Sequence, residues 1–261
     1  MVLDTKCPAQ YADVLKSVKK SQMDLTYSLG VLAYIYVYPL VVMQRTMSQD
    51  VHHRAPINQF YHSPGFSSPS TRPFVTPNRD TLYSTAWLDL RNTSVRLFVP
   101  YSVGRYFTVQ FLDMYTNTFY NIQASHVGPY GREFLIVGPN GIRGECNLPV
   151  IQAPTNNVYL VARVEVKNEA ELPYVIQLAN QLNVVASTVV PATQEPYLTE
   201  EVLTDLSFFN VMIEVLRKNP PPICDHVLLE QFKLIGINVV KGFHPQKMSL
   251  ESTRSLQKAI Q

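Results

Sequence analysis

FVTPNRDTLYSTAWLDLRNTSVRLFVPYSVGRYFTVQFLDMYTNTFYN, residues 74–121, decides the fold of this chain. Thr81–Leu90, Val95–Val99, Tyr106–Leu112 and Thr118–Ser125 are short runs rich in β-branched and aromatic residues. Turn formers lie between them, at Arg91-Asn92 and Val103-Gly104. Downstream, Glu133–Val137 and Val158–Val166 repeat the pattern, divided by Gly128–Gly131 and Gly138–Gly144. Short strands punctuated this way predict an antiparallel β-sandwich, jelly-roll-like, within an α+β fold.

Helical periods flank this core. Tyr11, Val14, Leu15 and Val18 form one stripe over residues 8–20. Asp24 is placed to cap a second helix through Leu25, Leu29, Leu32, Ile35 and Tyr36, kinked at Pro39 and resuming to Met47. Being apolar nearly all round, that helix is expected to be buried under the sandwich. His52–Pro73 reads as a long loop. After Asn168 the period becomes helical again, with Asn168 and Glu171 spaced as a capping box. Helices are expected over Thr199–Lys218, from Asp225 to Gly236, and over Leu250–Ile260. The expected organisation is therefore an arm at 1–23, a buried helix plus sandwich at 24–167, a helical annex at 168–244 and a terminal helical arm at 245–261.

Composition narrows the function. Over 261 residues, 46% are hydrophobic and only 16% charged, the pattern of a globular chain with a low-charge surface. A net charge of +2 and the lack of any basic stripe argue against nucleic acid. The N-terminus shows no apolar leader, and the run Ser28–Met43 reads as too short and too polar to span a bilayer. An intracellular location without membrane attachment is the expectation. Cys7, Cys146 and Cys224 have no metal-type spacing; they read as reduced thiols or, being odd in number, as candidates for intermolecular disulfides. No HExxH, compact Cys/His cluster, Gly-x-Ser-x-Gly elbow or phosphate loop appears, so neither metal nor cofactor is expected. His52-His53 would hold a metal only if distant carboxylates joined it.

Polar clusters within the core stretch are the candidate site. Thr76–Thr81 is either turn chemistry or a wall presenting Asn78, Arg79 and Asp80 to a ligand. Period-two alternation would put Asp113, Tyr115 and Asn117 on one face, with Gln110 nearby, either binding a small polar molecule or satisfying one another. Asn58, Phe60 and His62 alternate in the preceding loop, and His62 could serve as a base.

Taken together, YVYPLVVM (36–43), NQFYH (58–62), VTPNRDTLYSTAWLDL (75–90), GRYFTVQFLDMYTNTF (104–119), FLIVGPNG (134–141), APT (153–155) and the helical stretch 208–237 resemble the domain of unknown function 1254 family, over about residues 24 to 244. That resemblance implies the sandwich fold and no particular reaction. Members of the family, mostly bacterial, often carry a signal peptide and a companion β-sandwich domain; this chain reads as having neither. The family's usual Pro-Asn-Asn-Asp segment is Pro77-Asn78-Arg79-Asp80 here.

Three functions are weighed on these readings. The first is a self-assembling structural protein, such as a viral occlusion-body, capsid or other lattice component, with itself as partner. Low charge, 15 tyrosines and 19 prolines motivate it. The second is a hydrolase or lyase at one end of the sandwich, with His62 as base, Arg79 as anion clamp, and Asp80 and Asp113 beside them. The third, a carbohydrate- or peptide-binding module, is disfavoured because the only tryptophan, Trp87, falls on a predicted core strand.

Overall fold

A computed structural model of the chain describes residues 8–67, 78–102, 104–141, 147–188 and 195–261, with backbone alone at 8–10. In order, the elements are α1 (Pro8–His53), β1 (Phe60–His62), β2 (Thr81–Asp89), β3 (Val95–Val99), β4 (Phe107–Leu112), β5 (Thr118–Gln123), β6 (Arg132–Val137), β7 (Val150–Gln152), β8 (Asn157–Glu165), α2 (Leu172–Ala179), β9 (Asn183–Ala186), α3 (Ser207–Lys218), α4 (His226–Phe232), β10 (Ile237–Asn238), β11 (Gly242–Phe243) and α5 (Leu250–Ile260). They form two compact units: residues 43–198, and residues 1–42 with 199–261.

The first unit is the expected sandwich. One sheet has the order β1-β2-β8-β4-β5 and the other β7-β6-β3-β9. All pairings are antiparallel except β6 with β7, which is parallel. Alternation sorts each strand between two faces. Leu82, Ala86 and Leu88 of β2, Phe107, Val109 and Phe111 of β4, and Val158, Leu160, Ala162 and Val164 of β8 point inward. They meet Val95, Leu97 and Val99 of β3 and Phe134 and Ile136 of β6 in one core. The six strands expected from the sequence form within a residue or two of their expected ends.

The second unit packs the first part of α1 with the C-terminal helices. Gly30 lets the helices approach closely, since a Cβ there would sit 2.8 Å from Leu256 Cδ2 and 3.0 Å from Ala259 Cβ. Tyr34 packs against Phe208 with ring centroids 4.6 Å apart and planes tilted by 39°, and Tyr36 donates to Asp225 Oδ2 at 2.8 Å. Ser249 caps α5 by accepting from the Ser252 N–H at 3.1 Å, and Gly236, at φ 80°, ends the turn after α4.

Several expectations are corrected. The two N-terminal helices are one, running through Asp24 and past Pro39 to His53. Cooperative propagation and the contacts of Val37, Leu40 and Val41 outweigh the lost bond at the proline. Leu25, Leu32 and Ile35 are exposed, whereas Thr26, Gly30, Ala33, Val37 and Leu40 on the opposite side are buried. The stretch expected to be a loop after His53 contains β1. Asn168 makes no side-chain cap; Glu171 turns instead to Arg105, whose Nη1 donates to it at 2.6 Å. The annex is not wholly helical either, because α2 and β9 belong to the sandwich unit and β9 pairs with β3.

Among the described residues α1 is long and apolar enough to cross a membrane by length and composition, with an 18-residue window of mean hydropathy 1.6. A third of that window is buried within the fold.

Candidate functional site

The outward face of the five-stranded sheet carries the polar chemistry of the sandwich unit. Inward positions of β2 and β8 are aliphatic apart from Ser84, so the odd-numbered residues Tyr83, Thr85, Trp87, Asp89, Asn157, Tyr159 and Arg163 face the other way. Trp87 and Tyr159 are register partners and stack with centroids 4.3 Å apart and planes 22° from parallel. The end of α1 lies over them. Trp87 Nε1 donates to Asp50 Oδ2 at 3.0 Å, and Arg54 Nη1 is 3.1 Å from Asp50 Oδ1. Arg54 also sits over the Tyr61 ring, 5.4 Å from its centroid.

Burial raises the Asp50 pKa, against the Trp87 hydrogen bond and the Arg54 charge, which both lower it. Burial also raises the Tyr159 pKa, helped by the negative charge of Asp50. Thr85, Arg54 and Arg163 pull the other way. The Tyr159 hydroxyl is buried and makes no hydrogen bond, Thr85 lying beside it without bonding geometry.

A second chain of contacts crosses the same face. Arg163 lies 5.5 Å over the Tyr83 ring, and its Nη1 donates to Gln110 Oε1 at 2.9 Å. Gln110 Nε2 donates to Thr118 Oγ1 at 2.7 Å. The Tyr83 hydroxyl accepts the Asn78 N–H at 2.9 Å. Of the residues singled out from the sequence, Asn78 and Gln110 are thus brought into one neighbourhood.

The others are not. Asp113, Tyr115 and Asn117 do not alternate along a strand. β4 ends at Leu112, and Asp113 organises a turn. Its Oδ1 accepts the N–H groups of Tyr115 at 2.8 Å and Asn117 at 2.9 Å, and its Oδ2 accepts Asn117 Nδ2 at 3.1 Å. Thr116 takes φ 68° within it. Asp113 is spent on local bonds, as an Asx-type turn requires. Asn58, at φ 60°, accepts the Asp89 N–H at 3.0 Å and so bridges into β2.

His62 points to the inward side of β1. Its Nδ1 is 2.8 Å from Ser84 Oγ, and its ring stacks with Phe60. Burial lowers its pKa, which keeps the imidazole neutral at neutral pH. Ser84 is only 1% exposed, so this contact satisfies a core hydroxyl rather than presenting a nucleophile. Arg79 and Asp80 are exposed where the chain enters β2, and no hydrogen bond joins their side chains to His62. Thr76 and Pro77 lie outside the described residues, as do Cys7 and Cys146. Cys224 is a free, exposed thiol. Among the described residues no group of three His, Cys, Asp or Glu could hold a metal ion.

Sequence reading missed Asp50, Arg54, Tyr159 and Arg163. Tyr159 and Arg163 had one available signal, since a tyrosine and an arginine share the parity opposite to the aliphatic residues of their strand. Asp50 and Arg54 had none, because reading the loop as starting at His52 left the helix end out of consideration.

Another feature is an apolar stripe on α1. Tyr11, Val18, Leu25 and Leu32 recur every seven residues, with Val14, Ser21, Ser28 and Ile35 between them. All eight are exposed, the apolar six between 41% and 65%. Lys16, Lys19 and Lys20 lie on the other side of the helix.

The family profile described as "Protein of unknown function (DUF1254)" matches residues 57–186. The motifs at 36–43 and 208–237 fall outside that match. Among solved structures, the chain is similar to the VPA0106 protein of Vibrio parahaemolyticus at 20% identity and a TM-score of 0.66, over 89% of this chain and 57% of that one. At that identity the likeness shows the fold alone, and this chain spans little more than half the length of its neighbour. An uncharacterised protein from Burkholderia cenocepacia matches at 10% identity and a TM-score of 0.36, over 86% of this chain and 61% of that one. No curated protein matches the chain. The chain belongs, through its residues 57–186, to the DUF1254 family.

Proposed function

We propose that this protein is a self-associating structural protein, two copies pairing through the exposed stripe of α1. The observation that carries this reading is a run of exposed positions at heptad spacing from Tyr11 to Ile35, six of the eight apolar; residues 11–25 are exposed on every side, and from Thr26 onward the run lies opposite the buried residues. Such a seam, about 36 Å long at 1.5 Å per residue, matches itself in a second copy. Burial of these six side chains on each helix supplies the driving force for pairing, set against the cost of association. The lysines lie off the seam and do not oppose pairing. A surrounding bilayer is the poorer occupant, because the other side of the helix at Gly30, Tyr34 and Tyr36 is already packed on C-terminal segments of the chain.

A hydrolase or lyase reading has less support. His62 is engaged with a buried serine, Asp113 with its own turn, and Arg79 and Asp80 are solvent-exposed. A viral occlusion body or capsid is one setting for self-association, as are other lattices.

Light scattering on the purified chain tests the reading. Twice the 29.6 kDa chain mass, or a multiple of it, is expected, falling to the single-chain mass in V14D/V18D. A monomer at high micromolar concentration refutes it, as does a multimer that V14D/V18D leaves intact. Reductant is expected to leave the mass unchanged, because this contact needs no disulfide.

A further inference from the structure

An open sheet leaves the backbone of its outermost strands unpaired, and most proteins guard such edges by shortness, charge or proline. Of the four edges in the sandwich unit, three are short: β1 and β7 have three residues each and β9 has four. β5 is the exception. It has six residues, and from Met114 to Ser125 the chain carries neither a charged side chain nor a proline. Thr118-Phe119-Tyr120-Asn121-Ile122-Gln123 is the kind of uncharged, β-prone run that pairs with its own copies.

The hydrogen-bond pattern identifies the open groups. The Glu165 N–H donates to the Tyr106 carbonyl at 3.0 Å, so even-numbered residues of β4 bond to β8. The odd-numbered ones turn to β5, where Val109 meets Ile122 and Phe111 meets Tyr120. Asn121 lies between those two and therefore turns both its N–H and its C=O away from β4. Among the described residues β4 is the one strand beside β5, and Thr118, Tyr120, Asn121 and Gln123 are exposed. The edge closes at Gln123, whose N–H donates to His126 Nδ1 at 3.2 Å.

We propose that β5 is a second self-association surface, on which two copies pair edge to edge and antiparallel about a two-fold axis at Asn121. Across that axis Asn121 exchanges two main-chain hydrogen bonds with its counterpart. No charges oppose each other, because the strand carries none. In the same register Tyr120, 38% exposed, stands opposite the other strand's Ile122. The five-stranded sheet then continues from one copy into the next, and a second copy always carries the matching strand. So short an edge pairs weakly, with a Kd above about 100 µM. Pairing at β5 does not depend on α1. Growth beyond two copies rests on the α1 reading as well, since each copy then has two self-matching contacts.

Sedimentation velocity of the full chain from about 10 µM to about 2 mM tests it. With the α1 stripe silenced in V14D/V18D, the mass is expected to rise from one chain to two at the concentrated end. In that background Asn121→Pro, which removes only an outward N–H, should weaken the step at least about tenfold. Asn121→Lys and Asn121→Asp each set like charges across the axis and should do the same, at least about tenfold. An equal mixture of these last two should recover pairing, because opposite charges then meet, and a loss of folding would not produce that recovery. A V14D/V18D chain that stays single throughout overturns the proposal. So does a rise that Asn121→Pro leaves unchanged, or a mixture that recovers nothing. An otherwise unaltered chain that stops at two copies, and loses them in Asn121→Pro but not in V14D/V18D, refutes the α1 reading and keeps this one.

Discussion

The two ends of α1 follow opposite rules. From Gln44 to Asp50, within the sandwich unit, polar side chains are buried or half-buried and bonded. Gln44 donates to Glu195 at 3.0 Å, Ser48 to the Pro196 carbonyl at 2.8 Å, and Asp50 receives Trp87. From Tyr11 to Ile35 the reverse holds, and apolar side chains face water. One helix thus keeps its polar groups inside at one end and its apolar groups outside at the other. Burial is not a property of residue type; it depends on whether a surface of matching chemistry lies opposite. The sandwich offers indole N–H and backbone carbonyl groups to the late part of the helix. Nothing described here covers the early stripe, and a second copy of the chain is what we propose to cover it.

That contrast can be broken by substitution, beginning with the largest effect. Trp87→Ala removes the ring on Tyr159 and the donor to Asp50 together, and should cost about 3–5 kcal/mol in urea denaturation. A loss below 1 kcal/mol would mean that the helix end is not anchored there. Asp113→Ala, on the same unit but away from α1, should cost about 1–3 kcal/mol by stripping two backbone N–H groups of their acceptor. Asp113→Asn should recover part of this.

Acid titration gives a smaller effect with a definite sign. The folded-state pKa of Asp50 lies above its unfolded value, so the folded chain holds that proton more tightly. Its contribution is greatest below the unfolded value and falls as pH rises from about 4 through the raised folded value. His62 acts in the opposite direction across a higher window. Its folded pKa is below the ordinary 6.5, so stability is fully present above that value and is lost as pH falls through the folded one. Denaturation midpoints measured across pH should lose the first slope in Asp50→Asn and the second in His62→Gln. A wild-type slope that persists in either variant refutes that assignment. Smallest of all, V14D/V18D should shift the urea midpoint of the dissociated chain by no more than about 0.5 kcal/mol, because no packed contact is removed. A larger loss would show that the stripe is already covered within the chain.

Some of the site was readable before the fold was known. Gln110 and Asn78 fall in the neighbourhood of Arg163 because each sits beside or within a strong strand pattern, where local alternation sets direction. Asp113, Tyr115 and Asn117 were misplaced because alternation was carried past the end of β4, where a left-handed Thr116 reverses the chain. His62 was correctly picked out as unusual, but only the pairing of β1 with β2 revealed Ser84 as its partner.

By itself the sequence determined six of the strands and the α+β class. Alternation and turn residues act over a few positions, and six strands formed where those signals lay. Only tertiary structure decided which side of α1 is buried, that β9 joins the sandwich, and that Asp50, Tyr159 and Arg163 share one electrostatic neighbourhood. Asp50 and Arg163 are 113 positions apart in the chain. Nothing local links residues at that distance; the pairing of β2 with β8 and the return of the helix end over their outward face do.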